Sequence, residues 1–143
     1  FANKYLYNSS ATSTSINANP QDFIYQRLAE LYLIRAEARA QQGNLTGANS
    51  ASTDINLVRT RAGLPNTTAG TQTQILAAIE KERVTELFYE GHRWYDLKRT
   101  GQLQAVLGAI PYKAANYKPH YNLRPIPLTE LNNSPNLTQN PGY

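Results

Sequence analysis

Ala48-Asn49-Ser50-Ala51-Ser52-Thr53-Asp54-Ile55-Asn56-Leu57-Val58-Arg59-Thr60-Arg61-Ala62-Gly63-Leu64-Pro65 carries the clearest helical pattern in the chain. Ala48, Ala51, Ile55, Val58 and Ala62 step by three, four, three and four, which lines them along one face of a helix. The exit is marked three times: Gly63 suits the left-handed position after a helix, Leu64 can fold back on the last turn, and Pro65 cannot continue it. Asn44 or Thr46 would cap the start.

Upstream, Ile24, Leu28, Leu31, Ile34 and Ala38 recur at spacings of four, three, three and four. They predict a second helix, capped near Asp22 and ended by Gly43-Asn44, with those five residues as its core stripe. Alanines at 29, 36, 38 and 40 leave room for a neighbouring helix to approach closely. The two helices form an antiparallel pair about a tight turn. Downstream of the polar loop from Asn66 to Thr73, a third helix runs through Ile75, Leu76, Ile79, Val84, Leu87 and Phe88, and Gly91 interrupts or bends it. His92–Arg99 is helical by spacing and closes at Gly101, and a short turn of helix fits 102–107. Residues 109–143 hold six of the eight prolines and four of the ten tyrosines, which predicts an extended tail with turns and short strands. The polar residues 1–20 read as one short strand about Lys4-Tyr5-Leu6-Tyr7 and a loop, and 21–143 as the helical region. The fold class is mostly α, with little β.

Composition narrows the function. A chain of 143 residues is one domain's worth and can bury a core without staples. It has no cysteine, which excludes disulfides, thiolate-held metals and thiol nucleophiles within this stretch. There is no apolar run long enough to span a bilayer and no signal peptide. The net charge is +4, with cations interleaved among acids along the chain, which is a poor footprint for nucleic acid. Asn, Gln, Thr and Ser number 14, 9, 13 and 7, a composition that suits an extracellular or envelope protein.

Two constellations bear on chemistry. If the third helix continued through Gly91, Arg83, Glu86, Glu90 and Arg93 would share one face at spacings of three, four and three. Two carboxylates at i and i+4 beside His92 suggest a metal or acid/base pair. Opposite signs at most adjacent steps suggest instead an ion-pair ladder, and the ladder is preferred because nothing else converges there. The aromatic residues form the other group. Trp94 and Tyr95 beside Arg93 could stack on a ring, with Trp94 read as a buried anchor for the tail. Tyr112, Tyr117 and Tyr121 lie among Lys113, Lys118 and Arg124, as amphipathic rings suited to a carbohydrate or a protein interface. GxGxxG, phosphate-loop, GxSxG and HExxH motifs are absent, and five Asn-x-Ser/Thr sequons carry no weight in so Asn-rich a chain.

The helical pair resembles a tetratricopeptide unit at Ala36, Gly43-Asn44-Leu45 and Ala48, although Arg39 and Ser52 stand at that repeat's bulky positions. The whole chain resembles the C-terminal region of the RagB/SusD family. Three blocks carry the likeness: Arg27-Leu28-Ala29-Glu30-Leu31-Tyr32-Leu33-Ile34-Arg35-Ala36-Glu37-Ala38, Ile55-Asn56-Leu57-Val58-Arg59-Thr60-Arg61-Ala62-Gly63, and Glu82 through Arg99. The ending from Pro125-Ile126-Pro127 to Gln139-Asn140-Pro141-Gly142-Tyr143 is similar as well.

The resemblance implies a cell-surface, lipid-anchored outer-membrane protein that binds glycans and hands oligosaccharides to a SusC-type TonB-dependent transporter. It implies a binding protein and not an enzyme, with no cofactor, no metal, no catalytic residues and no nucleic-acid partner. The anchor and much of the sugar site would lie outside this chain, which would be mainly C-terminal scaffold. The weak ligand-facing candidates here are Tyr112, Tyr117 and Tyr121. A protein-interaction scaffold of the tetratricopeptide type, with no direct sugar contact, stands as the alternative. A glycosidase using Glu86 and Glu90 would need Glu90→Gln to abolish activity in a folded protein.

Overall fold

The computed structural model describes residues 26–143. The predicted strand at Lys4–Tyr7, Asp22 as a cap and Ile24 as a core residue lie outside them. The described residues are helical, with no strand among them. They fall into two compact units, the first ending at Gly91 and the second running from His92 to Tyr143.

The first unit is three helices in mutual contact, α1 (Leu28–Gln41), α2 (Ala51–Arg61) and α3 (Gln72–Glu86). α1 starts after Arg27, whose backbone is still extended. Its end and the end of α2 are alike. Gly63 takes φ +72°, its N–H reaches Thr60 O at 3.0 Å, and the Leu64 N–H reaches Arg59 O at 2.9 Å. That pair of bonds satisfies two of the last carbonyls and needs a left-handed residue, which glycine supplies without strain. Gly43 and Asn44 repeat the arrangement after α1. α2 is capped by Ser50, whose hydroxyl accepts from Thr53 N, and not by Asn44 or Thr46. Ser50 is the last extended residue before the helix and lies in reach of the orphan N–H groups, whereas Thr46 is four residues too early. α3 opens with a reciprocal capping box between Thr71 and Gln74. The Gln72 amide reaches across to Ala40 O at 2.9 Å, satisfying a carbonyl at the end of α1.

The core of this unit is Ala36, Ala40, Ala51, Ile55, Ile75 and Ile79, with Ala29, Leu33 and Val58 as a second cluster. The α2 stripe is as predicted at Ala51, Ile55 and Val58, while its outer members Ala48 and Ala62 are exposed. The α1 stripe is on the wrong side. Leu33 is 0% exposed, whereas Leu31 is 47% exposed, and Leu28, Ile34 and Ala38 are exposed with it. The face that packs is Ala29, Leu33, Ala36 and Ala40. α1 must contact α2 and α3 together, and three alanines with one leucine permit that approach where a Leu/Ile ridge would hold the helices apart.

The second unit contains α4 (His92–Arg99), α5 (Leu103–Gly108), α6 (Pro111–Ala114), a 3-10 turn at Pro119–Asn122 and α7 (Leu128–Asn133). Leu97 and Leu103 are its buried apolar side chains. Short helical turns therefore replace the strands predicted for the tail. Pro111 and Pro119 sit at the first helical positions, where a fixed φ and a missing N–H cost nothing.

Candidate ligand-facing surface

Among the described residues of the first unit, six arginines are paired with carboxylates of other elements. α3 ends at Glu86, and Tyr89 (φ +64°) and Gly91 (φ +80°) turn the chain before α4. Arg83, Glu86, Glu90 and Arg93 therefore do not lie along one continuous helical face. Arg27, just before α1, takes the place of a ladder partner. Its Nη1 lies 2.6 Å from Glu86 Oε1, its Nε donates to Glu90 Oε2 at 2.9 Å, and its Nη2 donates to the Glu86 carbonyl at 2.7 Å. Arg61 holds the other Glu86 oxygen at 2.5 Å, and Arg59 holds Glu82 at 2.5 Å.

Burial alone would raise the Glu86 pKa, but the hydrogen bonds from Arg61 and Arg27 outweigh it and hold the carboxyl below its ordinary value. Burial would likewise lower the Arg27 pKa, and the bonds to Glu90 and Glu86 turn the net shift upward. A general acid needs the opposite shift. Glu86 and Glu90 are thus tied to guanidinium groups that join α1, α2 and the end of α3.

A second ion cluster centres on Asp54, which is fully buried. Arg35 approaches it with Nε at 3.0 Å and Nη2 at 2.7 Å, and Arg39 with Nη1 at 2.7 Å. Arg39 thereby fills a tetratricopeptide bulky position with a charge that α2 neutralises. Every buried side-chain polar atom among the described residues has a partner.

The aromatic residues divide. Trp94 is 38% exposed and Tyr95 more so, so Trp94 is not the buried anchor predicted. It lies on an eight-residue helix whose buried positions are Asp96 and Leu97. Tyr112 is exposed, with the Lys113 ammonium 5.8 Å from its ring. Tyr117 is half-buried, and its hydroxyl is taken up by Asn122 Oδ1 at 2.5 Å, which makes it a strut for the 3-10 turn. Tyr121 is exposed and belongs to a cluster that the sequence reading missed. His120 stands edge-to-face against Tyr121 at 4.6 Å and against Tyr143 at 5.0 Å, and the two tyrosine rings are 6.4 Å apart.

A clasp brings Tyr143 there. The Gln139 amide pairs with both backbone groups of Ile126, at 2.8 and 3.0 Å, in the manner of a strand neighbour. Asn140 Nδ2 donates to Arg124 O at 2.6 Å, and the Tyr143 hydroxyl donates to Leu123 O at 2.8 Å. Gly142 has φ +97°, and a Cβ there would lie 2.6 Å from the His120 ring. The result is a small cluster of rings set edge-to-face about half-buried His120, with Tyr121 and Tyr143 exposed, on a backbone fixed by side-chain hydrogen bonds, and exposed tyrosine faces of this kind can stack on a ligand ring. The signal available in sequence was the run Gln139-Asn140-Pro141-Gly142-Tyr143, noted there only for its likeness to a family ending.

The comparisons with known proteins agree on one family. Residues 1–143 match the SusD family. The starch-binding protein SusD of Bacteroides thetaiotaomicron is 37% identical over 122 residues, covering 82% of this chain and 21% of that protein. SusD-like protein P25 of Formosa agariphila is 38% identical over 129 residues, covering 82% of this chain and 24% of the relative. A crystal structure of a SusD-like protein from Bacteroides fragilis superposes with a TM-score of 0.64 at 29% identity, over 80% of this chain and 25% of that one. The chain thus spans about a quarter of the length of these relatives, and on the match along its whole length it belongs to the SusD family.

Proposed function

We propose that the protein carrying this chain is a cell-surface glycan-binding protein and not an enzyme. In this reading it is lipid-anchored at the outer membrane and captures oligosaccharides for a SusC-type TonB-dependent transporter. The observation that carries the proposal is the SusD-family match over residues 1–143, and the similarity to a starch-binding protein supports it. Within that protein these residues serve mainly as C-terminal scaffold. The arginine–carboxylate contacts that join α1, α2 and α3 support this part of the reading, since they engage the charged groups a site would need free. Tyr112 and Tyr121 are the exposed rings that could meet a sugar face, while the Tyr117 hydroxyl is engaged by Asn122. Among the described residues no helix is long and apolar enough to cross a membrane.

Calorimetric titration of the complete protein and of this chain with a panel of oligosaccharides tests the proposal. Binding by the complete protein and not by the chain would place the sugar site elsewhere and leave these residues as scaffold. Failure of the complete protein to bind any glycan, while it still co-purifies with a transporter, would favour the protein-interaction alternative.

A further inference from the structure

The chain's positive charge is unevenly divided. Up to Gly91 there are eight basic and eight acidic side chains, whereas from His92 to Tyr143 there are six basic and two acidic. One of those two acids, Asp96, is buried and bonded to Arg99 at 3.0 Å. After it, Glu130 is the only Asp or Glu.

Lys118 and Arg124 are both exposed and bracket the ring cluster along the chain. Tyr121 N bonds Lys118 O at 2.9 Å, closing a turn that brings the Lys118 backbone next to that of Tyr121. Arg124 is three residues from Tyr121, hence within about 11 Å by backbone reach. Its carbonyl is tied to Asn140, three residues from Tyr143. Both cations therefore belong to residues whose backbone lies within three residues of Tyr121, on the same short turn-rich segment. A neutral sugar would form no charge pair with them, whereas an anionic one would add charge pairs to ring stacking.

We infer that the ring cluster of His120, Tyr121 and Tyr143, bracketed along the chain by Lys118 and Arg124, takes a sugar residue bearing a carboxylate or a sulfate ester. This deepens the glycan-binding reading and rests on it.

The test is titration of the complete protein with three probes of equal length: an oligogalacturonate, a sulfated galactan oligosaccharide and a neutral malto-oligosaccharide. Each is run at about 20 and about 200 mM salt. At least one anionic probe should bind more tightly than the neutral one and weaken as salt rises, and which of the two it is assigns carboxylate or sulfate. The double variant Lys118→Gln/Arg124→Gln should weaken that binding about tenfold and leave the neutral probe unchanged. Tyr121→Ala should weaken it as well, and Lys118→Arg should retain it. Equal binding of neutral and anionic probes, or an indifferent double variant, overturns the inference while the glycan reading stands. No binding of any of the three probes, with a folded protein, overturns the inference, and the wider oligosaccharide panel then decides the glycan reading. Tighter binding of a poly-glutamate peptide than of any sugar overturns it in favour of a protein partner.

Discussion

Removing the Asp54 carboxylate should cost more than removing either arginine that faces it. Asp54 is 0% exposed and accepts three charge-assisted hydrogen bonds, while the Arg35 side chain is 52% exposed. Deleting one member of a buried ion pair ordinarily costs about 3–5 kcal/mol, because the other is left charged and dry. Here Arg35 would regain much of its hydration. Arg39, largely buried, would keep only a long contact to Ser50 O at 3.4 Å. Asp54→Ala should therefore destabilise the helical unit by about 2–3 kcal/mol. Arg39→Ala should cost about 1–2 kcal/mol, since Arg35 still pairs with Asp54, and Arg35→Ala about 1 kcal/mol. Urea unfolding followed by circular dichroism gives the three values, and the Asp54→Ala/Arg39→Ala double variant should show coupling of about 1 kcal/mol or more. A change below about 0.5 kcal/mol in Asp54→Ala, or equal costs for Asp54→Ala and Arg35→Ala, would refute the reasoning that burial sets the order.

Three further outcomes follow from particular contacts. Leu33→Ala should cost this chain about 2–5 kcal/mol, as for a fully buried leucine. Leu31→Ala should cost well under about 1 kcal/mol, and the reverse order of urea midpoints would restore the face predicted from sequence. Gly142→Ala meets both a left-handed φ and a ring 2.6 Å from the new Cβ. It should displace His120 and alter the ring NMR shifts of Tyr121 and Tyr143, while Gly47→Ala, with open space around its Cβ, leaves those shifts alone. Glu86 titrates below 4.5 in the native chain, so the unfolded form takes up the proton first as pH falls. Its contribution is complete above about pH 4.5 and is lost as pH drops through the native value. The urea midpoint should fall with pH in that window, and Glu86→Gln should lower the midpoint at neutral pH and flatten the acid slope.

The helices were legible because their signals are local. Gly63-Leu64-Pro65 writes the end of α2 into three consecutive residues, and Ala51, Ile55 and Val58 have no competing stripe on their helix. α1 was legible as a helix and illegible in its orientation. It bears two apolar stripes, Leu28–Leu31–Ile34 and Ala29–Leu33–Ala36–Ala40, and the bulkier one wins any count of hydrophobicity. Which of them packs depends on how close α2 and α3 must come, and a single helix does not carry that information. The single helical face assumed for Arg83 to Arg93 failed for a related reason. Spacing treats Arg83 to Arg93 as one rod, but Tyr89 and Gly91 break it, and the guanidinium that replaces it comes from Arg27, 59 residues before Glu86.

The ring cluster shows the same limit from the other side. Tyr121 could be flagged as an aromatic in a proline-bearing segment, yet nothing near it in sequence says that it faces Tyr143, because that pairing is made at a distance. Gln139 reaches back 13 residues to Ile126, Asn140 reaches 16 to Arg124, and Tyr143 reaches 20 to Leu123. Each is a side chain bonding backbone that helices and strands have left unpaired, which is what a segment with so few regular partners requires. In such a segment the amides do the work of a sheet ladder, and the residues they set side by side carry no common period. Proline and glycine mark where the chain turns, and the hydrogen-bonding amides decide which rings meet. A substitution such as Gln139→Leu, remote in sequence from Tyr121, should therefore disturb the ring cluster as much as a change at His120 itself.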